Sequence, residues 1–243
     1  MSAVAPAGAG YGFAQSGCGG LRLALNGEEV LLRRSGGMWL EAARALVVAD
    51  LHLEKGSSYA ERGQMLPPYD TGETLDRLEA ETRALRPAVL VLLGDTFHDR
   101  RSEARLAATY AERLRTLAAG LRLIWVVGNH DADGPQAAPG EVAQTLTLGS
   151  LTLRHEPTGG RRPGEVSGHL HPCAKVAASR GVVRRRCFVT DGERAVLPAF
   201  GAYAGGLNVR DRAFGGLFAQ PPLAGALGTE RVHAVGWRSL RPD

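Results

Sequence analysis

Side chains that could bind metal ions are concentrated in a few short motifs of this 243-residue chain. The motifs contain Asp50 and His52, Asp95, Asn129 to Asp131, His155, and His169 with His171. Each motif alone is typical of a turn or a helix cap. Six of the seven histidines fall in or beside the motifs, so their conjunction indicates a metal site. Imidazole, carboxylate and amide groups together suit manganese, iron, zinc or cobalt better than calcium.

The spacing within two motifs predicts a site for two metal ions. In an extended segment, residues i and i+2 point to the same side about 6.6 Å apart. Asp50 with His52, and His169 with His171, can therefore each direct two ligands into one cavity. Two metal ions about 3.5 to 4 Å apart fit that span, and Asp95 is the natural bridging ligand.

Such a pair of ions predicts hydrolysis of a phosphate ester. Two divalent cations outweigh the charge of Asp50, Asp95 and a bridging hydroxide, so the site attracts an anion such as phosphate. A bound metal ion also lowers the pKa of its water toward neutrality. This predicts a metal-bridging hydroxide for in-line attack on phosphorus.

The elements around the motifs predict an α/β fold. Apolar segments at 45–49, 88–93 and 121–127 have the pattern of buried strands, and each is followed by a motif. Helical patterns at 71–86 and 102–119 separate them. Strands that alternate with helices pair in parallel, so their motifs meet at the carboxyl edge of one sheet.

The rest of the chain predicts a second, mainly antiparallel sheet that packs on the first. A hairpin is expected over 21–33, and short strands are expected at 144–154, 164–169, 173–177, 182–189, 194–197 and 232–238. The Gly- and Pro-rich stretch 198–229 predicts a long loop. Residues 1–20 predict a flexible leader, followed by a single domain over 21–243.

Composition limits the class of protein. No apolar stretch approaches the roughly 20 residues that cross a bilayer, so no membrane span is expected. Three cysteines are too few for a disulfide framework, and the N-terminus lacks a signal-peptide pattern, so we expect a cytoplasmic protein. The net charge is +4, and 27 of the 29 basic residues are arginine, which permits contact with nucleic acid without requiring it.

The motifs resemble the signature of the calcineurin-like metallophosphoesterases. That signature is D-x-H, G-D, G-N-H-[DE], a lone H and G-H-x-H, in this order. The chain matches it at 50–52, 94–95, 128–131, 155 and 168–171. The resemblance implies an α/β/β/α sandwich of two packed mixed sheets, in four layers.

The resemblance also implies a role for each motif residue. One metal ion would be held by Asp50, His52, Asp95 and His171. The other would be held by Asp95, Asn129, His155 and His169. His130 would act as the acid that protonates or stabilises the leaving oxygen, and Asp131 would orient its ring.

One position departs from the family pattern. The family usually has G-D-x-x-D, whereas this chain has His98 at the last position and Asp99 after it. His98 either supports the site or contacts the substrate, or it is an ordinary loop residue. The neighbouring Arg100 and Arg101 could bind phosphates that flank the reacting one, although a solvated arginine-rich surface explains them equally well.

Longer segments resemble the bacterial ligase-associated DNA-damage-response phosphoesterases. They are Ala-Asp-Leu-His-Leu-Glu-Lys-Gly at 49–56, Gly-Asp-Thr-Phe-His at 94–98, Leu-Pro-Ala-Phe-Gly-Ala-Tyr at 197–203 and Gly-Gly-Leu-Asn at 205–208. The resemblance implies a manganese-dependent phosphodiesterase or DNA endonuclease in DNA repair, with a functional association with a DNA ligase and a helicase. Hydrolysis of a small phosphate ester or nucleotide is the alternative. A non-catalytic scaffold is disfavoured because every ligand position is retained.

Overall fold

The first of two sheets carries its strands in chain order. The structure, a computed structural model, describes residues 12–178 and 181–243. Within these residues the first sheet contains β1 (Phe13–Gln15), β2 (Leu21–Leu25), β3 (Glu28–Leu32), β4 (Met38–Leu40), β5 (Ala45–Ala49), β6 (Val89–Leu93), β7 (Arg122–Val126) and β8 (Glu141–Ala143). Strands β1 to β5 pair antiparallel, and β5 to β8 pair parallel.

The second sheet is also mixed. It contains β9 (Leu146–Leu148), β10 (Leu151–Leu153), β11 (Glu165–Ser167), β12 (Cys173–Ala178), β13 (Gly181–Thr190), β14 (Ala195–Val196), β15 (Leu223–Leu227) and β16 (Val232–Gly236). The strand order is β16-β15-β13-β14-β11-β10-β9, and β12 pairs with the first half of β13. Strands β10, β11 and β14 pair parallel, whereas the other pairs are antiparallel, as the sequence predicted.

The α-helices are α1 (Lys55–Glu61), α2 (Asp70–Leu85), α3 (Ser102–Arg105) and α4 (Ala108–Ala119). Helix α2 agrees with the prediction, but the helix expected over 102–119 is interrupted because Leu106 and Ala107 have extended backbones. Helix α1 was not predicted, since its Gly-Ser-Ser sequence forms helices poorly. No helix in the described part of the chain is long and apolar enough to cross a bilayer.

Two apolar layers hold the sheets and helices together. Strand alternation sends Val47 and Val91 of the first sheet toward Phe188 of the second, which forms the buried layer between the sheets. The opposite face of the first sheet packs against α2 and α4 through Leu75 and Leu114. Two packed mixed sheets therefore confirm the predicted sandwich.

The outermost layer on the second sheet differs from the helical layer that was expected. In the described residues, Val209, Phe218 and Leu240 pack against this face of the sheet. Two short 3-10 helices, Arg212–Phe214 and Trp237–Ser239, lie in the segments that supply this cover. The segments are rich in Gly and Pro, which terminate α-helices after a turn.

Two sequence expectations need correction. The predicted loop 198–229 contains β15, whose Leu-Ala-Gly-Ala-Leu sequence is buried against β13 and β16 and is rich in small residues that favour strands weakly. The predicted leader 1–20 contains β1, which pairs with β2. Residues 1–11 of that leader lie outside the described residues.

A buried ion pair fastens the second sheet. Arg194 is 1% exposed and donates hydrogen bonds to the carbonyl oxygens of Thr158, Gly160 and Leu217. It also pairs with the buried carboxylate of Glu165. One side chain thus joins two loop segments to β11.

We expect Arg194→Met to destabilise the fold by about 3 to 5 kcal/mol, because it leaves the buried Glu165 carboxylate without its partner. The matched control is Arg161→Met, which removes an exposed pair with Glu193 and should change stability little. Urea unfolding followed by circular dichroism measures both variants. Equal midpoints for the two variants would contradict a structural role for Arg194.

Candidate metal centre

The predicted site residues converge because parallel strands of both sheets end at one place. Asp50, Asp95 and Asn129 follow β5, β6 and β7 of the first sheet. His155 and His169 follow β10 and β11 of the second. Backbone hydrogen bonds join the loops directly, from His52 N–H to the Asp95 carbonyl (2.9 Å) and from Gly168 N–H to the His155 carbonyl (3.0 Å).

Five of the candidate ligands have a left-handed backbone. This corrects the extended geometry that was expected for Asp50 with His52 and for His169 with His171. The positive φ angles are at Asp50 (53°), His52 (46°), Asp95 (44°), His169 (66°) and His171 (44°). Non-glycine residues seldom adopt this conformation, and it persists at functional sites where the surrounding structure imposes it. The side chains are therefore directed by tight turns rather than by strand alternation.

The first group of candidate ligands contains Asp50, His52 and His171, whose ligand atoms all lie within 4.8 Å of one another. The Nε2 atoms of the two histidines face each other at 3.2 Å. The His171 Nε2 lies 3.5 Å from Asp50 Oδ1. Asp50 is fully buried, and its carboxylate accepts a hydrogen bond from the His169 N–H (2.9 Å).

The second group contains Asp95, His155 and His169. Nε2 of His155 lies at its centre, 3.3 Å from Asp95 Oδ2, 3.1 Å from His169 Nδ1 and 2.9 Å from Asn129 Oδ1. These four side chains are the set expected for one metal ion. His169 and His171 thus belong to different groups, although they are two residues apart.

The two groups are in contact. Nδ1 of His155 lies 3.6 Å from Asp50 Oδ1, so Asp50 touches a histidine of each group. A bridging role for Asp95 stays a prediction. The arrangement supports two adjacent cation positions in one buried polar space.

Two of the candidate ligands, His52 and Asp95, have pKa values that suit metal binding. Burial and the neighbouring His171 lower the pKa of His52 to about 2, against the attraction of Asp95. Although burial acts to raise it, the hydrogen bond and charge of His155 lower the pKa of Asp95 to about 2. The site therefore keeps Asp95 ionised and His52 neutral, which are the forms that bind metals.

The residues fit divalent metal ions on chemical grounds. Nδ1 of His52 and Nδ1 of His155 are buried and have no hydrogen-bond partner in the described residues. Unpaired buried polar atoms are rare in proteins, and a missing ion or water explains them. Carboxylate, imidazole and amide donors crowd around shared points, a set suited to borderline transition metals.

His130 lies at the edge of the metal groups, with its side chain 40% exposed. Its Nδ1–H donates to the carbonyl oxygen of His98 (2.7 Å), because a carbonyl can only accept. Its Nε2 lies 3.9 Å from Asp95 Oδ2. The second ring nitrogen thus faces the site from a position that solvent can reach.

Asp131 does not orient the His130 ring, which corrects the role implied by the family pattern. Its carboxylate accepts hydrogen bonds from the backbone N–H groups of Gly128, Thr96 and Phe97. Burial raises the pKa of Asp131, although these backbone donors act in the opposite direction. Asp131 therefore ties the loop after β7 to the loop after β6, and the His98 carbonyl holds the ring.

His98, which stands where the family usually has an aspartate, also lies at the site. The His98 ring stacks on His130, with centroids 5.6 Å apart, and meets His52 edge-on at 5.6 Å. Burial and the positive charges of Lys55 and His130 lower the pKa of His98 to about 4, with Arg62 adding to this effect. His98 thus presents a neutral imidazole at the rim of the metal groups.

The 197–208 segment supports the metal ligands rather than lining the centre. Phe200 N–H donates to the Ala49 carbonyl (2.7 Å), and Gly201 N–H donates to the Asp50 carbonyl (3.2 Å). The half-buried Arg186 donates to the carbonyl oxygens of Ala199 and Gly201. The segment therefore joins β13 of the second sheet to the turn that carries Asp50.

Comparisons with known proteins agree with this geometry. A family model described as calcineurin-like phosphoesterase matches residues 43–186, which is more than half of the chain. The chain belongs to this family. It is a metal-dependent phosphoesterase, and the matched stretch includes every candidate metal ligand.

Two solved structures are similar to the phosphoesterase. The crystal structure of Pseudomonas putida nuclease MPE has a TM-score of 0.69 and 29% sequence identity, and the alignment covers 89% of this chain and 100% of that one. A phosphoesterase from E. coli, Yfce, has a TM-score of 0.37 and 18% identity, with 79% and 98% coverage. No curated protein matches the sequence significantly.

The predicted substrate-binding residues lie beside the metal groups, on the loop that follows β6. Arg100 is exposed, with its Nε 3.9 Å from Asp133, and Arg101 is exposed as well. Sequence reasoning missed Arg62, at the end of α1, because α1 itself was not predicted. Lys55 donates to the Tyr203 carbonyl (3.0 Å) and borders the site from the other side.

Two motif glycines allow the backbone to approach the buried carboxylates. A Cβ at Gly168 would collide with Asp50 Oδ2, and a Cβ at Gly128 would collide with Asp95 Oδ1. Both residues are buried, and both carboxylates are tied by hydrogen bonds. The glycines of the motifs are therefore required by space at the metal centre.

We expect Gly168→Ala in the phosphoesterase to reduce metal affinity at least tenfold, because Asp50 must move away from the other ligands to make room. Gly159→Ala is the matched control, since a Cβ there meets nothing within 4 Å. Manganese titration by calorimetry measures both. Wild-type affinity in Gly168→Ala would show that the close approach is not needed.

Proposed function

We propose that this phosphoesterase is a nuclease that hydrolyses the phosphodiester bonds of nucleic acid, with DNA as the substrate. The observation that carries the proposal is a pair of metal-ligand groups in contact with each other, with the exposed Arg100 and Arg101 on the loop that follows Asp95. The similarity to Pseudomonas putida nuclease MPE over 89% of the chain supports it.

The ligands are assigned as the family pattern implies. Asp50, His52, Asp95 and His171 would hold one ion, and Asp95, Asn129, His155 and His169 would hold the other. Two bound divalent cations supply positive charge for the phosphoryl oxygens and acidify the attacking water. We propose manganese as the ion, with iron, zinc or cobalt as the alternatives.

His130 is proposed as the group that handles the leaving oxygen. Its Nδ1–H is engaged by the His98 carbonyl, so only Nε2 can face a substrate. In hydrolysis the water oxygen bonds to phosphorus, the ester P–O bond breaks, and a protonated His130 gives its Nε2 proton to the departing alkoxide. The proton that the water loses then restores the protonated form of His130. Asp131 acts as a positioning residue for the two loops around it.

A small phosphate ester or nucleotide is the second candidate substrate. The metal groups would act on either substrate class, because both present a phosphate to the same ligands. The exposed arginines on the loop after β6 favour a polymer, which carries further phosphates beyond the reacting one. A role in DNA repair, association with a ligase and a helicase, a single domain over 21–243 and a cytoplasmic location stay predictions.

The substrate assignment is tested with manganese on single-stranded DNA, plasmid DNA, a small diester and a small monoester. We expect Asp95→Asn to abolish cleavage and metal binding, because it removes a buried anionic ligand. His130→Ala should lower kcat about 10²- to 10⁴-fold while metal binding is retained.

His233→Ala is the matched control, because His233 is exposed on β16. Cleavage of the monoester alone by the wild type would refute the nuclease proposal. Activity that survives Asp95→Asn would refute the assigned ligands.

Metal removal is a separate test. We expect a chelator to abolish activity and to lower the thermal midpoint, because the buried carboxylates and histidines lose the cations that bind only the folded state. Restoration with manganese, zinc, iron or cobalt, one at a time, ranks the ions by activity. Full activity after chelation, with no metal left by elemental analysis, would contradict the metal requirement.

A further inference from the structure

A charged cavity of about 560 Å³ lies near the metal groups. We call it the arginine cavity. Its charged lining consists of Arg62, Arg100, Arg101 and Arg105, with the carboxylates Glu61 and Asp99. Its walls come from the end of α1 and from the loop between β6 and α3.

One arginine contacts both carboxylates. Arg105 donates to Asp99 Oδ2 (2.8 Å) and to Glu61 Oε2 (3.2 Å). Although burial acts to raise it, the hydrogen bonds from Arg105 and Ser58 hold the pKa of Asp99 well below its usual range. Both carboxylates of the cavity are thus committed to the same guanidinium.

The charged lining keeps a net charge of +2, because four arginines face two carboxylates. In the described part of the chain, the side chains of Arg62 and Arg101 make no hydrogen bond or ion pair, and Arg100 has only a distant contact to Asp133 (3.9 Å). Three like charges around one cavity repel each other, so this lining does not stabilise the fold. It is suited instead to an anion that several guanidinium groups can share.

The cavity is separated from the first metal group by the side chain of His98. Asp99, in the wall, follows His98, whose ring contacts His130 and His52 with centroids 5.6 Å away. An extended anion can therefore have one charged group in the cavity and another near the metal ligands. A strand of nucleic acid carries a phosphate on every nucleotide and meets this requirement.

We propose that the arginine cavity binds a non-scissile backbone phosphate of the nucleic acid strand whose neighbouring phosphate is hydrolysed at the metal centre. This inference rests on the proposed nuclease function and adds to it. Arg62 is the principal new residue, because it lines the cavity from the end of α1, whereas Arg100 and Arg101 lie on the loop after β6. The subsite makes the enzyme prefer polymers to small diesters.

The test compares the wild type with Arg62→Gln and Arg62→Lys on a short single-stranded DNA oligonucleotide and on bis(p-nitrophenyl) phosphate, a diester with no second phosphate. We expect Arg62→Gln to raise the ratio of KM for the oligonucleotide to KM for the small diester about tenfold, as for the loss of one charged hydrogen bond. Arg62→Lys should restore much of that ratio. In Arg62→Gln, the slope of log KM for the oligonucleotide against log salt concentration should decrease by about one.

Neutral methylphosphonates, introduced at one position of the oligonucleotide at a time, locate the contact. In the wild type, a methylphosphonate at one position next to the cleaved bond should raise KM. In Arg62→Gln, the same replacement should change KM little further. Arg115→Gln is the control, because Arg115 is an exposed arginine of α4 outside the cavity.

The outcomes separate the two proposals. If the wild type cleaves the oligonucleotide but Arg62→Gln leaves the KM ratio unchanged, or changes it no more than Arg115→Gln does, the subsite is wrong and the nuclease function stands. If the wild type cleaves only the small diester, the nuclease function fails, and the subsite fails with it.

Discussion

Two buried carboxylates impose the main constraint on this protein. Asp50 and Asp95 are almost completely removed from solvent where strands of both sheets end. A buried charge is costly unless donors and cations surround it. Backbone N–H groups of His169 and His130 donate to them, and the other candidate ligands gather at ion-pair distances. A site with this composition is most stable when cations occupy it.

The sandwich supplies the rigidity that this site requires. Five candidate ligands have left-handed backbones, a conformation that costs of order 1 to 3 kcal/mol for each residue. Hydrogen bonds between loops hold these turns, and the Asp131 carboxylate ties two of the loops through three backbone donors. Because both sheets contribute, packing between the sheets is coupled to metal binding. Damage to that packing is therefore expected to reach the chemistry.

Local sequence patterns predicted much of the architecture and part of the site. The apolar segments before Asp50, Asp95 and Asn129 are the parallel strands that were expected, and the order of the motifs matched the family. The patterns missed α1, whose first turn is held by long-range hydrogen bonds from Gly56 N–H to Asp70 and from Glu54 N–H to Thr71. Contacts between distant residues leave no periodic signal in the segment that they order.

The sequence by itself determined the kinds of ligand, their order along the chain and their position after buried strands, because these follow from residue chemistry and hydrophobic periodicity. Only the tertiary structure decided that the ligand backbones are left-handed, that Asp131 binds loop amides instead of the His130 ring, and that Arg62 and Arg100 line one cavity. The physical reason is that these relations depend on left-handed turns and on packing between two sheets. Both arise from contacts between residues far apart in the chain.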